Sequence, residues 1–164
     1  MWSVRIAFLV ILVAAAWVPA AADASSAVCL VISQDDPRKE IKRLPVEPGV
    51  EFHLEFINSI YRAPVRETMV YEPGQGIALT KVESPSAGVF EYYGLTTGKG
   101  QNGSGVFPIR RVVGEIRLRS HNYEHHRLVV GGRIVRLKGL VRDGEPLIIK
   151  IHPCGGKDSI AGGR

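Results

Sequence analysis

The chain has 164 residues, of which 45% are apolar and 23% charged, and its formal net charge is +5. This length suits one domain that buries its own core without a metal or a dense set of disulfides. The basic residues are scattered and no helical pattern gathers them, which excludes the usual signature of a nucleic-acid-binding protein. A moderate positive charge favours weak attraction to anionic surfaces or ligands.

Residues 1–24 have the pattern of a signal peptide. Arg5 supplies a positive start, Ile6–Val18 is an unbroken apolar run, and the alanines around Asp23 form small-residue cleavage patterns. The run is shorter than the ~20 residues of a membrane-spanning helix, although a retained N-terminal anchor is an alternative. We predict a cleaved signal and a periplasmic or secreted protein. Residues 25–164 then form a single β domain, with 155–164 as a flexible tail.

The two cysteines of the chain, Cys29 and Cys154, stand in the first predicted strand and just after the last one. Exported proteins form disulfides, so a bridge would tie the two ends of the domain together. Two separate buried thiols are the alternative, since cysteine is among the most buried residue types. We favour the bridge.

Short β-type segments fill most of the remaining chain. Apolar and polar residues alternate in Val50–Phe56 and again in Val65–Tyr71, as in half-buried strands. Gly131-Gly132 joins two further apolar segments and predicts a two-residue hairpin, in which Val130 opposes Arg133. The other predicted strands are Ala27–Ser33, Glu40–Val46, Ile77–Glu83, Val112–Arg119 and Leu147–His152.

The fold class follows from this series of strands. Eight to ten short, mostly antiparallel strands at close spacing predict an all-β protein, either a β-sandwich or a partly open barrel. Between Ser84 and Pro108 the alternation is lost, and we predict a long functional or mobile loop there. Its G-x-G-x-x-G sequence at 98–103 is followed by no helical pattern, so we assign no dinucleotide or other cofactor.

The corner between the two alternating strands carries the candidate site. Glu67 shares a face with Val65 and Met69, and a carboxylate on an apolar face needs partners. We expect it to be hydrogen-bonded to Ser59 or Arg62 in the corner just upstream. Glu67 is then either a structural clamp for the turn or a ligand-binding carboxylate.

Two arginines of the same corner suggest an anionic small ligand. In an extended segment Arg62 and Arg66 would point the same way, and guanidinium groups bind carboxylate or phosphate through two parallel hydrogen bonds. Two solvated arginines are the alternative. Ser59 lacks the G-x-S-x-G context of a nucleophile, so we assign no catalytic residue. The predicted ligand or partner corner consists of Asn58, Ser59, Arg62, Arg66 and Glu67.

A second polar cluster contains His121, Glu124, His125 and His126. Imidazole and carboxylate groups suit zinc or copper. His125 and His126 are adjacent at the start of a predicted strand and should point to opposite faces, so at most one can join His121 in a site. The three histidines are weak metal candidates, and exposed loop histidines are the alternative.

The corner resembles a bacterial family known as domain of unknown function 1850. Members of that family carry a motif of the form His-Ser-x-x-x-Thr-Pro-Val-x-Glu after an alternating strand. Asn58 and Ala63 stand where the family has His and Thr, which argues against a His-dependent site. The matching residues of the motif are Ser59, Pro64, Val65 and Glu67.

Two further blocks extend the resemblance over most of Cys29–Ile151. Glu83-Ser84 and Ala87-Gly88 are similar to a block written Glu-Ser-x-Gly-Ala-Gly, and the HRLVVGG hairpin resembles the family's C-terminal end. The resemblance implies a small exported domain without an established activity. Genes of the family commonly lie beside permeases of the tripartite ATP-independent periplasmic (TRAP) type, which implies a membrane transporter or its solute-binding protein as a partner.

We therefore predict an exported, non-enzymatic accessory or binding domain, in which Ser59 and Glu67 are the residues that the resemblance carries over. The alternative is a metal-dependent or hydrolytic periplasmic enzyme that uses the segment His121–His126.

Overall fold

The structure is a computed structural model that describes residues 27–35, 38–95, 105–119 and 121–155. The predicted signal peptide, the predicted tail beyond Gly155 and the glycine-rich stretch 96–104 lie outside these residues. Within the described ranges, no helix combines the length and hydropathy needed to cross a membrane.

The described residues form two antiparallel sheets and one short helix. The smaller sheet has the strand order β2-β1-β10-β7, and the larger has the order β6-β5-β4-β3-β8-β9. The elements are β1 (Val28–Gln34), β2 (Lys39–Val46), β3 (Glu51–Asn58), β4 (Ala63–Glu72), β5 (Gly76–Ser84), α1 (Ala87–Tyr92), β6 (Gly105–Gly114), β7 (Ile116–Arg119), β8 (Arg127–Val130), β9 (Arg133–Arg136) and β10 (Pro146–Pro153). The predicted all-β class is confirmed, and the two sheets make it a sandwich.

The core lies between the two sheets and takes side chains from both. Leu30 of β1 and Ile149 of β10 are fully buried from one side, and Phe52 and Leu54 of β3 from the other. β3 follows the predicted alternation, since Phe52 and Leu54 are buried whereas Glu51 is exposed. Burying alternate apolar residues in this way leaves the opposite face of the larger sheet to polar side chains.

The hairpin of β8 and β9 forms as predicted. Gly131 and Gly132 have φ values of 53° and 76°, which residues with a Cβ adopt only at a cost. Val130 opposes Arg133, and Leu128 opposes Val135. Leu128 and Val135 are both buried in the core.

The predicted single strand Val112–Arg119 is wrong. Gly114 has a φ of 69°, and the chain turns there from β6 at the edge of the larger sheet to β7 at the edge of the smaller one. Val112 and Val113 before the turn are exposed, whereas Ile116 and Leu118 after it pack against the core.

The predicted loop between Ser84 and Pro108 is also wrong in part, because it contains α1 and the start of β6. Val89 and Phe90 of α1 are fully buried, and the Phe90 ring lies 4.3 Å from that of Phe107 in β6. Two buried residues on one short turn are too few to give a helical period in the sequence.

Cys29 and Cys154 form the predicted disulfide, with their Cα atoms 5.1 Å apart. The Cys154 amide also donates to the carbonyl oxygen of Ala27 at 2.8 Å. The bridge therefore fastens the chain after β10 to the start of β1, and a disulfide fits an oxidising compartment.

Candidate functional site

The corner between β3 and β4 is shaped by Asn58. Its side chain is buried, and Oδ1 accepts hydrogen bonds from the amides of Ile60 and Tyr61, both at 3.0 Å. Arg62 has a φ of 49°. The segment is therefore a tight turn, and the extended geometry that would align Arg62 with Arg66 does not form. Ser59 and Arg62 lie exposed on this turn.

The corner rests on α1. A Cβ atom added to Gly88 would lie 2.2 Å from Cε1 of Tyr61, so the tyrosine ring lies directly against the glycine backbone. Two blocks of the family resemblance, the corner and Ala87-Gly88, thus meet in space. Glycine at this position provides the room for that contact.

Glu67 points toward the core side of the larger sheet, opposite Leu54 of β3. Its carboxylate accepts a hydrogen bond from the hydroxyl of Tyr93, just after α1. The predicted partners are wrong, because no hydrogen bond joins Glu67 to Ser59 or Arg62 within the described residues. Tyr93, the residue that follows α1, supplies the donor instead.

Burial sets the ionisation of this pair. It raises the pKa of the Glu67 carboxyl above its ordinary value, whereas the hydrogen bond from Tyr93 acts in the opposite direction. The pKa of the Tyr93 phenol is also raised, first by burial and then by the negative charge of Glu67. The Tyr93 hydroxyl thus donates the side-chain hydrogen bond that stabilises the Glu67 carboxyl group inside the domain.

Arg66, the preceding residue, lies on the opposite face of β4 and reaches Glu55 of β3. An Arg66 guanidinium nitrogen is 2.9 Å from the Glu55 carboxylate, and Arg127 of β8 approaches the same carboxylate at 3.2 Å. The Glu55 side chain is only 18% exposed, whereas both arginines are about half exposed. Glu55 therefore orients two arginines on the outer face of the sheet.

These groups belong to a row that crosses the whole larger sheet. Each residue of the row is the register partner of the next, on adjacent strands from β6 to β9. The row consists of Val106, Glu83, Arg66, Glu55, Arg127 and Arg136. Residues paired in register point to the same face, so one strip of the sheet carries five charged side chains side by side.

An open groove of about 920 Å³ lies over this row, at the end of the sheet next to the corner. We call it the corner groove. Its floor is the row, and its apolar margin includes Ile57, Pro64 and Pro85. All six strands of the larger sheet contribute to it. Arg66 is the one member of the predicted corner that lines the groove.

The histidine segment divides between the two faces, as predicted. His126 packs inward, with its ring 5.7 Å from Phe56 and 5.3 Å from Tyr123, while His125 lines the corner groove. Burial lowers the pKa of His126, and the charge of His125 lowers it further. His121 is exposed. No group of three or more His, Cys, Asp or Glu residues is arranged to hold a metal ion in the part of the chain that the structure describes.

The residues of the candidate site that the sequence did not single out are Tyr93, Glu55, Arg127 and Arg136. Tyr93 stands in a segment without a recognisable period, so nothing indicated which side chain it would meet. The other three occupy the polar positions of alternating strands. Alternation predicts the face of the sheet on which these three residues lie. It does not predict their neighbours, which depend on which strands pair and in what register.

No family model, curated protein or solved structure matches this chain. The fold and the groove define the class of protein: an all-β sandwich whose larger sheet carries an open, charged groove on its outer face.

Proposed function

We propose that this chain is an exported, non-enzymatic binding domain that holds a small ligand or a segment of a partner in the corner groove. The observation that carries the proposal is the groove itself. Its volume of about 920 Å³ falls in the range of ~300–1,000 Å³ typical of ligand sites, and it combines charged groups with an apolar margin.

The floor of the groove is suited to binding because two of its arginines are oriented by an ion pair with Glu55. Strand register sets the spacing of the row, and Glu55 holds Arg66 and Arg127 before any ligand arrives. Side chains that are positioned in the free protein lose less conformational entropy on binding. Sites on regular strands also hold their geometry better than sites on loops.

A binding role has more support than the alternative, a metal-dependent or hydrolytic enzyme that uses His121–His126. His126 packs against the rings of Phe56 and Tyr123, and His125 faces the opposite way. At most one of the two imidazoles can therefore join His121 in a site.

For the partner, the resemblance to the family of domain of unknown function 1850 supports a permease of the TRAP type or its solute-binding protein. The disulfide supports export, since such bonds persist in oxidising compartments. We propose an accessory role beside such a transporter in the periplasm, with the corner groove as the contact or ligand site.

Photo-crosslinking tests this proposal. A benzophenone amino acid at Ile57, which is 38% exposed at the groove, is irradiated in the presence of a bacterial envelope extract and analysed by mass spectrometry. The same group at Ile134 is the control, because Ile134 lies on the same sheet outside the groove and is 61% exposed. Unspecific labelling would favour the more exposed control.

The expected result is an adduct of one defined mass at Ile57 that is absent at Ile134, whether it is a small molecule or a transporter component. Equal labelling at both positions, or none at Ile57, would overturn the assignment of the groove as a binding site.

A further inference from the structure

The corner groove is electrically asymmetric along the row. Glu83, Arg66 and Glu55 occupy β5, β4 and β3 and leave this part of the row with one net negative charge, whereas β8 and β9 end the row with two arginines. Lys138 and Glu124 also line the groove near the arginines, and Lys138 is paired with Asp143 at 2.6 Å. The excess of positive charge is thus located at Arg127 and Arg136.

These two arginines form a like-charge pair directly across two strands. Arg127 and Arg136 are register partners of β8 and β9, and like charges in that position destabilise a sheet. Of these two arginines, only Arg127 forms an ion pair with Glu55, at 3.2 Å. Among the described residues Arg136 has no ion pair. A bound anion between the two guanidinium groups would offset this repulsion.

Apolar side chains lie beside the charged row of the groove. Ile57 of β3 and Val106 of β6 are 38% and 56% exposed, and Pro64 of β4 lies exposed between their strands. Strands lie about 4.8 Å apart, so these residues extend from one to four strand spacings, roughly 5–20 Å, from the arginine end. A ligand that covers exposed apolar side chains removes their surface from water, which stabilises the complex.

We propose that the corner groove binds an amphiphilic organic anion. Its carboxylate or phosphate head lies between Arg127 and Arg136, and its apolar body extends over Ile57 and Pro64 toward Val106. This inference rests on the proposed binding function and names the chemical class of the ligand. A cationic or uncharged amphiphile would find the same apolar surface but would leave the arginine pair unsatisfied.

Titration calorimetry of the purified protein with monomeric decanoate and with decyl phosphate tests the ligand class. Decanol and decyltrimethylammonium carry the same apolar chain without the negative charge. We expect one site for each anion and at least roughly tenfold weaker binding of the other two compounds, since hydrogen bonds to charged groups are the stronger ones. Added salt should weaken binding of the anions, because Arg127 is about half exposed and Arg136 is exposed.

The variants Arg127→Gln and Arg136→Gln locate the head group. Each should weaken decanoate binding roughly tenfold, by loss of a charged hydrogen bond. Arg133→Gln is the matched control: Arg133 is an exposed arginine of the same hairpin, on β9 but outside the groove, and its loss should change affinity less than about twofold. The apolar surface is tested by Ile57→Asn, which should weaken binding of decanoate because Ile57 lies one strand from the arginines.

Two kinds of failure are distinguishable. If neither anion binds, or if Arg133→Gln weakens binding as much as Arg136→Gln, the ligand class is wrong, while an adduct specific to Ile57 would still support the groove as a binding site. Binding to vesicles of anionic phospholipid without binding to free decanoate would also overturn the proposal. Absence of both anion binding and the Ile57 adduct would overturn the proposed function itself.

Discussion

At the residue scale, Arg66 and Glu67 are neighbours in β4 that meet opposite environments. Successive side chains of a strand point to opposite faces, so Arg66 reaches the open groove and Glu67 the interior. Arg66 can exchange its ion pair with water at little cost. Glu67 has lost most of its hydration and is held by the Tyr93 hydroxyl, so its charge opposes folding.

The pH dependence of stability should reveal this charge. Burial raises the pKa of Glu67 in the folded protein above its ordinary value of 4.5, so the folded state binds more protons than the unfolded state over that interval. Stability from this group is present below about pH 4.5 and is lost as the pH rises through the folded pKa. The variant Glu67→Gln keeps an acceptor for Tyr93 without the charge, and should raise the free energy of unfolding at about pH 7 by about 1 kcal/mol.

Urea unfolding of the natural protein and of Glu67→Gln at about pH 4 and about pH 7 measures the difference in stability. We expect this difference to be small at the lower pH. Glu51→Gln, an exposed position of β3, is the control and should change neither value appreciably. If Glu67→Gln instead lowers stability at neutral pH, the ionised carboxylate is a favourable clamp.

At the element scale, local signals were sufficient where neighbouring segments pair with each other. The hairpin of β8 and β9 is an example, because two glycines set the turn and the turn sets the register. The smaller sheet is different. Its central strands, β1 and β10, come from the two ends of the domain and pair over their whole length. The disulfide lies at one end of this long-range pair.

Removal of the disulfide should therefore weaken the attachment of β10. The double variant Cys29→Ala, Cys154→Ala should lower the free energy of unfolding by about 3–5 kcal/mol, because the bridge closes a loop over a sequence separation of 125 residues. Chemical denaturation with and without dithiothreitol measures it. Reductant should destabilise the natural protein and leave the double variant unchanged, as the chain has no other cysteine. An equal effect of reductant on both would contradict the assignment.

At the scale of the whole molecule, one apolar core joins the two sheets, and the groove lies on the outer side of the larger one. Leu30 and Ile149 of one sheet and Phe52 and Leu54 of the other belong to the same buried cluster. Each sheet without the other would expose its apolar face to water. The groove is thus carried by a sheet whose inner face belongs to the core.

Unfolding should consequently be a single cooperative transition. Far-ultraviolet circular dichroism reports the strands, and tyrosine fluorescence reports the surroundings of residues such as the buried Tyr123. We expect the two curves to coincide in urea, as for small single domains. Separate transitions for the two signals would show that the sheets unfold independently and that the chain is not a single cooperative domain.

The sequence by itself determined most strands, the β8–β9 turn, the inward direction of Glu67 and the opposite directions of His125 and His126. These features depend on alternation and turn residues, which act within a few positions of the chain. Only the tertiary structure decided that Tyr93, 26 residues away, donates to Glu67, and that Arg66, Glu55 and Arg127 share one strip of the sheet. The pairing of distant strands sets those contacts, because a shift of one residue in register would move each side chain to the other face.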